Sequence, residues 1–516
     1  MRFPDGSAGH GAHAPQEGIM RLAIGAAIVL AFAGTASAAT TRKVPADYAN
    51  IQAAEDACVD GDTILIAKGR YILDTTVTFD VPNVIIKGAG AIVDGARPNL
   101  NNQNIDCFTI NATGITVTGI KFVNGSRQIY SDGANLHVTK CTFVDPNGAC
   151  IYLNTGTNAI VDGCKFVGSE ASAIEGYTTN VQFLKNVVRS CEDYGFYMEG
   201  TGGRFESNTI GFIGDGEGIY CSPAANAVVL KNKITNTGNE GLELAGNNIR
   251  IEGNTIRQSD NDAGIYVGGS TSAGAPIVIK NKITYAGAGI YAYNADGCQI
   301  LNNKIVDLHN DWAGVEVEAD NMTVIGNSVK MGSYYTYGFY LYSQTAAGTG
   351  TVEKNSVSDV TDAGFYFGNN WFNNVEVRNC TANNCGSYDS WGFYQQNSNN
   401  SSFEGLKATN IDNCGIWHDS GDDNEYIKCS VSNVYGDGFR VQGGDRNSFT
   451  DCTAANCGAD GFDNRGGSSA PNATQLSGGK YRGDRADVTN NTTGGAFIVL
   501  TNVDKVTPGT PQSQVD

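Results

Sequence analysis

Three aspartates in the last third of the chain have the spacing of a site. Asp437 precedes Gly438, Asp460 precedes Gly461 23 residues on, and Asp463 closes the run Asp460-Gly461-Phe462-Asp463. If the two glycines hold equivalent places in neighbouring strands, Asp437 stacks on Asp460 at roughly 5 Å, with Asp463 on the same strand. Carboxylates that close repel unless a cation or an arginine sits among them. Arg440 lies between the two coils. Around this cluster fall Tyr340, Tyr366, Tyr394, Trp417, Asp419 and Gln442, whose rings stack on sugars and whose polar groups hydrogen-bond hydroxyls or uronate carboxylates. Two plainer readings stand beside this one: turn aspartates bonded to backbone amides, and a tyrosine ladder packed on itself.

The elements that position these residues follow from a repeat. Twelve times between Tyr194 and Phe462 a Gly precedes a large apolar residue, from Gly195 to Gly461, in steps of 23 to 28 residues. A second column runs in phase: Asn186, Asn208, Asn232, Asn254, Asn281, Asn303, Asn327, Asn355 and Asn379. Short alternating runs such as Ile249-Arg250-Ile251, punctuated by Gly, Asn and Asp, read as strands and tight turns. About 23 residues make a coil of three short strands, and successive coils stack as parallel strands. A buried Asn at the same turn of each coil satisfies the turn backbone and its neighbours. Alternation then sends one column outward (Glu316, Tyr340, Tyr366, Tyr394, Trp417, Arg440, Asp463) and, two residues on, a second (Glu318, Tyr342, Gln396, Asp419, Gln442, Arg465). The four tryptophans, Trp312, Trp371, Trp391 and Trp417, fall in the same stretch.

With Gly-apolar-x-apolar and Asn-x-Ile/Val in register, the chain resembles the right-handed parallel β-helix proteins of the pectate lyase-like superfamily. The resemblance covers roughly residues 60–500 and implies an all-β solenoid of about 16 coils with a short N-terminal capping helix. The stretch Cys452 to Asp463 is similar to a calcium-binding coil of one β-helix pectate lyase family, which implies Asp437, Asp460 and Asp463 as ligands of Ca2+. That family's run begins with an Asp where this chain has Ala459, and Lys480 is the nearby candidate for its catalytic lysine. In such a lyase calcium neutralises the uronate and a base removes the C5 proton, with Arg440 or Lys480 as that base. Hydrolysis by Asp419 and Asp463 ranks lower, since two coils set them about 10 Å apart. The Asp-Pro-His-Asp run of mannuronan epimerases and the Gly-His-Gly and Arg-Ile-Lys motifs of polygalacturonases do not occur. His418 is expected to point inward, and His309 to lie in the loop before Gly314.

Residues 1–19 read as an upstream extension. Residues 20–38 read as a signal peptide, with Arg21, an apolar run from Leu22 to Ala33, and Ala36-Ser37-Ala38 before the expected cleavage. Residues 39–60 read as a cap with a helix over 45–58, residues 61–503 as the β-helix, and 504–516 as a tail. The formal net charge of −19 argues against nucleic acid. The 14 cysteines suit an exported protein, either as buried thiols or with Cys141–Cys164 and Cys429–Cys452 bridged; no Cys-x2-Cys points to zinc. The expectation is a secreted or periplasmic monomer without a membrane span, acting on extracellular polysaccharide as a calcium-assisted lyase. A non-catalytic rod, whether adhesin, structural or carbohydrate-binding, is the alternative.

Overall fold

The computed structural model describes residues 39–95, 105–259, 262–270, 274–309, 313–332, 337–368, 372–386, 390–465, 473–490 and 497–501. The chain falls into two units, Met1–Ala38 and Ala39–Asp516. The first, which holds the expected leader, lies outside the described residues, as do Trp312, Trp371 and the tail from 502.

From Thr41 onward the chain winds through three parallel sheets of 20, 18 and 18 strands. This is the right-handed parallel β-helix, with about 18 turns where the repeat predicts about 16. Thr41–Val44, expected in the cap, pairs in parallel with Thr63–Ile66 and is the first strand of its sheet. The capping helix is a single short piece, Ile51–Glu55, rather than 45–58. The Asn50 side chain accepts the Ala53 N–H at 2.8 Å, the bond that starts the helix. Ile51 and Ala54 bury against the first coil. Among the described residues, no helix is long and apolar enough to cross a membrane.

Both columns of the repeat have a visible cause. From Asn186 to Asn355 each backbone N–H donates to the next asparagine's Oδ1 at 2.8–2.9 Å. Each Nδ2 reaches a core carbonyl of an earlier coil, as Asn281 does to Ile251 at 3.0 Å. Asn379 is not in this column. It adopts a left-handed turn, and Cys380 takes the place, within 3.9 Å of Asn355 Nδ2. In the next coil Leu406 fills the same place. The glycine column exists because each coil's carbonyl sits where the preceding coil's Cβ would be: a Cβ on Gly438 would lie 2.6 Å from Gly461 O. The 14 cysteines are buried free thiols.

Candidate functional site

The sheet running from Val77–Phe79 to Ala486–Asn490 presents the expected residues on its outer face. Strand neighbours run Tyr291, Glu316, Tyr340, Tyr366, Tyr394, Trp417, Arg440 and Asp463 without a break. The residues before them, such as Phe365, Ile416 and Phe462, are buried in the core. In the second column, backbone bonds from Asp419 to Gln395, Gln442 to His418 and Arg465 to Val441 set Asp419, Gln442 and Arg465 in successive coils.

The rings pack on each other, with centroids 4.8 Å apart for Tyr340–Tyr366, 5.0 Å for Tyr366–Tyr394 and 5.1 Å for Tyr394–Trp417. The Arg440 guanidinium ends the stack, 5.0 Å from the Trp417 ring centre. Ring faces are thus largely consumed by neighbours, and edges and hydroxyls are what the ladder offers. Tyr366 donates to Gln396 Oε1 and Tyr342 to Glu318 Oε2, both at 2.6 Å. Burial pushes the Tyr394 phenol up to about 12, with the Asp419 charge adding to it. Asp419 is itself raised by burial, against hydrogen bonds from Tyr394 and Gln396 that lower it. Neither the Trp391 nor the Trp417 indole N–H has an acceptor.

Asp437, Asp460 and Asp463 do converge. All three are fully buried, and one oxygen from each lies within 4.8 Å of the others. Of the two ways to relieve their repulsion, the protein uses arginine. Arg440 donates Nε and Nη2 to Asp437 Oδ2 at 2.9 and 2.7 Å. Arg465 joins Asp463, at 2.6 Å, to Asp437, at 3.3 Å. Arg485 grips both Asp460 oxygens, Oδ1 at 2.7 Å, and Thr489 donates to Asp460 Oδ2 at 2.7 Å. Three carboxylates are suitable ligands for calcium in type. Here three guanidiniums already balance them, and a dication added to this buried cluster would leave its own charge unmatched. The residues as arranged do not fit calcium.

The expected bases part company. Arg440 is clamped on Asp437; burial opposes its charge, but the Asp437 and Asp463 carboxylates outweigh that and hold its pKa above the usual value. A guanidinium so held does not take up a proton. Lys480 is exposed on a different sheet, opposite Thr453. Asp463 is sealed beneath Arg465, so it cannot flank a glycosidic bond with Asp419. His418 is a core residue, bonded to the Tyr426 hydroxyl and Gly421 O and pushed by burial down to about 4. His309 stacks on Tyr285 at 4.7 Å.

A family model for the right handed beta helix region matches residues 84–211, 201–305 and 313–477. The chain belongs to the right-handed β-helix family. No curated protein sequence matches this β-helix. Similar solved structures include the catalytic unit of a GH87 α-1,3-glucanase from Streptomyces thermodiastaticus, with 15% identity and a TM-score of 0.30 over 86% of this chain and 64% of that one. The mannuronan C-5 epimerase A-module of Azotobacter vinelandii has 13% identity and a TM-score of 0.33, over 60% of this chain and 91% of that one. A Streptococcus pneumoniae surface adhesin has 11% identity and a TM-score of 0.28, over 75% and 91%. Likeness at this level carries nothing about the chemistry of this β-helix.

Two sets of residues escape the sequence reading. Arg485 and Thr489 are hidden because the register slips between Ala454 and Cys457, the strand on which their coil is built. Glu217 and Glu240 stand immediately before Gly218 and Gly241, the offset that singled out Asp437 and Asp460, and with Glu243 they form a second carboxylate cluster. The rule that found the first cluster finds this one when applied to every coil.

Proposed function

We propose that the outer face from Tyr340 to Arg465 binds an extended uronate-bearing polysaccharide and cleaves it by β-elimination. The observation that supports this best is the column Asp419, Gln442, Arg465: a carboxylate, an exposed amide and a half-exposed guanidinium in successive coils, beside Tyr394, Trp417 and Arg440. At about 4.8 Å per coil, Asp419 and Arg465 stand about 10 Å apart, room for one sugar ring with a side chain on either side. Arg465 and Arg485 are 41% and 55% exposed, so each holds buried aspartates while turning part of its fork outward. Guanidinium forks are suited to carboxylates.

In this reading Arg465 takes the neutralising role expected of calcium. Asp419, a stronger base than a surface carboxylate because burial raises it, takes the C5 proton. The C5–H electrons form the C4–C5 double bond as the C4–oxygen bond breaks, and the leaving oxygen takes a proton from water. Tyr340, Tyr366 and Gln442 position neighbouring sugars through hydroxyl and amide contacts. Export rests on the leader at 20–38 and is part of the same proposal. A rod that binds without cleaving is favoured by one observation, the packing of the rings on one another.

The test offers the protein pectate, alginate and a glycosaminoglycan, each with calcium and with a chelator, and follows the ultraviolet absorbance of unsaturated uronate. Product formed in chelator and lost in Asp419→Asn is the expected result. Retained binding without product assigns the non-catalytic rod, and neither binding nor product overturns the proposal.

A further inference from the structure

The same constellation is built twice along one sheet. Asp437 and Asp460 precede the coil glycines and Asp463 follows two residues after the second; Glu217, Glu240 and Glu243 stand at the same offsets from Gly218 and Gly241. In both clusters the oxygens come within 4.8 Å of one another. The surroundings differ at each position that supplies a positive charge to the aspartates. Arg440 is the strand neighbour of Asp463, and Tyr220 is that of Glu243. Arg465 lies two residues after Asp463, and Ala245 two after Glu243. Arg485 precedes the partner of Asp460, and Asp262 precedes the residue in register with Glu240. A fourth carboxylate thus replaces the third guanidinium, and among the described residues no ion pair reaches Glu217, Glu240 or Glu243.

We propose that Glu217, Glu240 and Glu243, with Asp262, bind a hard divalent cation, calcium in preference to others. Glu217 supplies the second observation. It is only 5% exposed, and its Oε2 is buried without a hydrogen-bond partner, while Oε1 takes a long contact from Asn239 Nδ2 at 3.4 Å and the carboxyl also lies within reach of Glu243. A buried carboxylate oxygen left open beside two other carboxylates is aimed at something that carries positive charge. The spacing suits calcium: metal–oxygen distances of about 2.3–2.6 Å put opposing ligands about 4.6–5.2 Å apart. A set of oxygens without His or Cys disfavours zinc and copper. The other groups facing the cluster, Tyr194, Tyr220 and Tyr266, offer no compensating charge.

Terbium added to the full-length protein tests this, because the three tyrosines are placed to sensitise its luminescence. Near pH 8 the expected result is one saturable terbium site that calcium displaces and that Glu240→Gln or Glu217→Gln weakens by about tenfold or more, as loss of one charged ligand should. In chelator, Glu240→Gln should melt no lower than wild type, because it removes repulsion, and calcium should raise the melting temperature of the wild type alone. A terbium signal unchanged in both variants, or no saturable site in the wild type near pH 8, overturns the proposal. The outcome is independent of the saccharide reading, which uses none of these residues.

Discussion

Arg440 serves two neighbours at once, holding Asp437 with two hydrogen bonds and capping the Trp417 ring. Asp437 is fully buried, so removing that guanidinium leaves its charge held only by the longer contacts from Arg465 and Arg485. Arg440→Ala is therefore expected to cost about 3–5 kcal/mol in a urea titration. The paired change Asp437→Asn with Arg440→Met should cost clearly less than the sum of the single changes. A loss below about 1 kcal/mol would mark the pair as surface-like. The glutamate cluster predicts a response to pH. Burial pushes Glu240 up to about 8 and Glu243 up to about 7 in the folded protein, above the carboxylate value of an unfolded chain. The folded state then binds more protons than the unfolded state between about pH 4.5 and pH 8. That contribution to stability is complete at the acid end and lost as pH rises through the folded values. Without calcium, melting temperature should fall across that window, and Glu240→Gln should flatten the slope; an unchanged slope contradicts the assignment.

The coil is the element that repeats, and its tolerances follow from how closely coils approach. A Cβ on Gly392 would meet Gly415 O at 2.6 Å and the Ala408 Cβ at 2.7 Å. Gly392→Ala should cost about 1–3 kcal/mol through forced backbone shifts, seen as a lower melting temperature. Asn281→Ala removes the acceptor for the Asn254 N–H and the donor to Ile251 O, and should cost about 1–3 kcal/mol per buried group left unpaired. Asn281→Cys should cost less, since Cys164 and Cys380 already sit in that column. The coil was the most legible feature of the sequence, because period-2 alternation and the glycine spacing leave one register for the outer columns. Where the sequence reading slipped, the cause was local. Asn379 carries the right residue type one position early, and only the left-handed turn there reveals that Cys380 faces the core. The aspartate cluster was legible as a cluster, but its counterions were not. Arg485 comes from a coil whose turn breaks the period, so nothing in the spacing placed it over Asp460.

Along the whole β-helix the outer face of one sheet changes character from coil to coil. Among the described residues it has a carboxylate cluster without ion-paired cations near Glu217–Asp262, a tyrosine ladder through Tyr340–Tyr394, and an arginine-balanced cluster at Arg440–Arg485. A polymer laid along it would meet hydroxyls first and guanidinium forks at one end, so affinity should rise with oligomer length and depend on where its carboxylates fall. The most direct measurement is a calorimetric titration of the protein with matched uronate and neutral oligosaccharides, repeated with Arg465→Gln and Arg485→Gln. The uronate oligomer should bind more tightly than the neutral one and lose about tenfold in each variant, the worth of a charge-assisted hydrogen bond of about 1.5–3 kcal/mol. Equal affinity for the two polymers, or uronate binding untouched by both substitutions, would contradict the claim that this face reads an acidic polysaccharide.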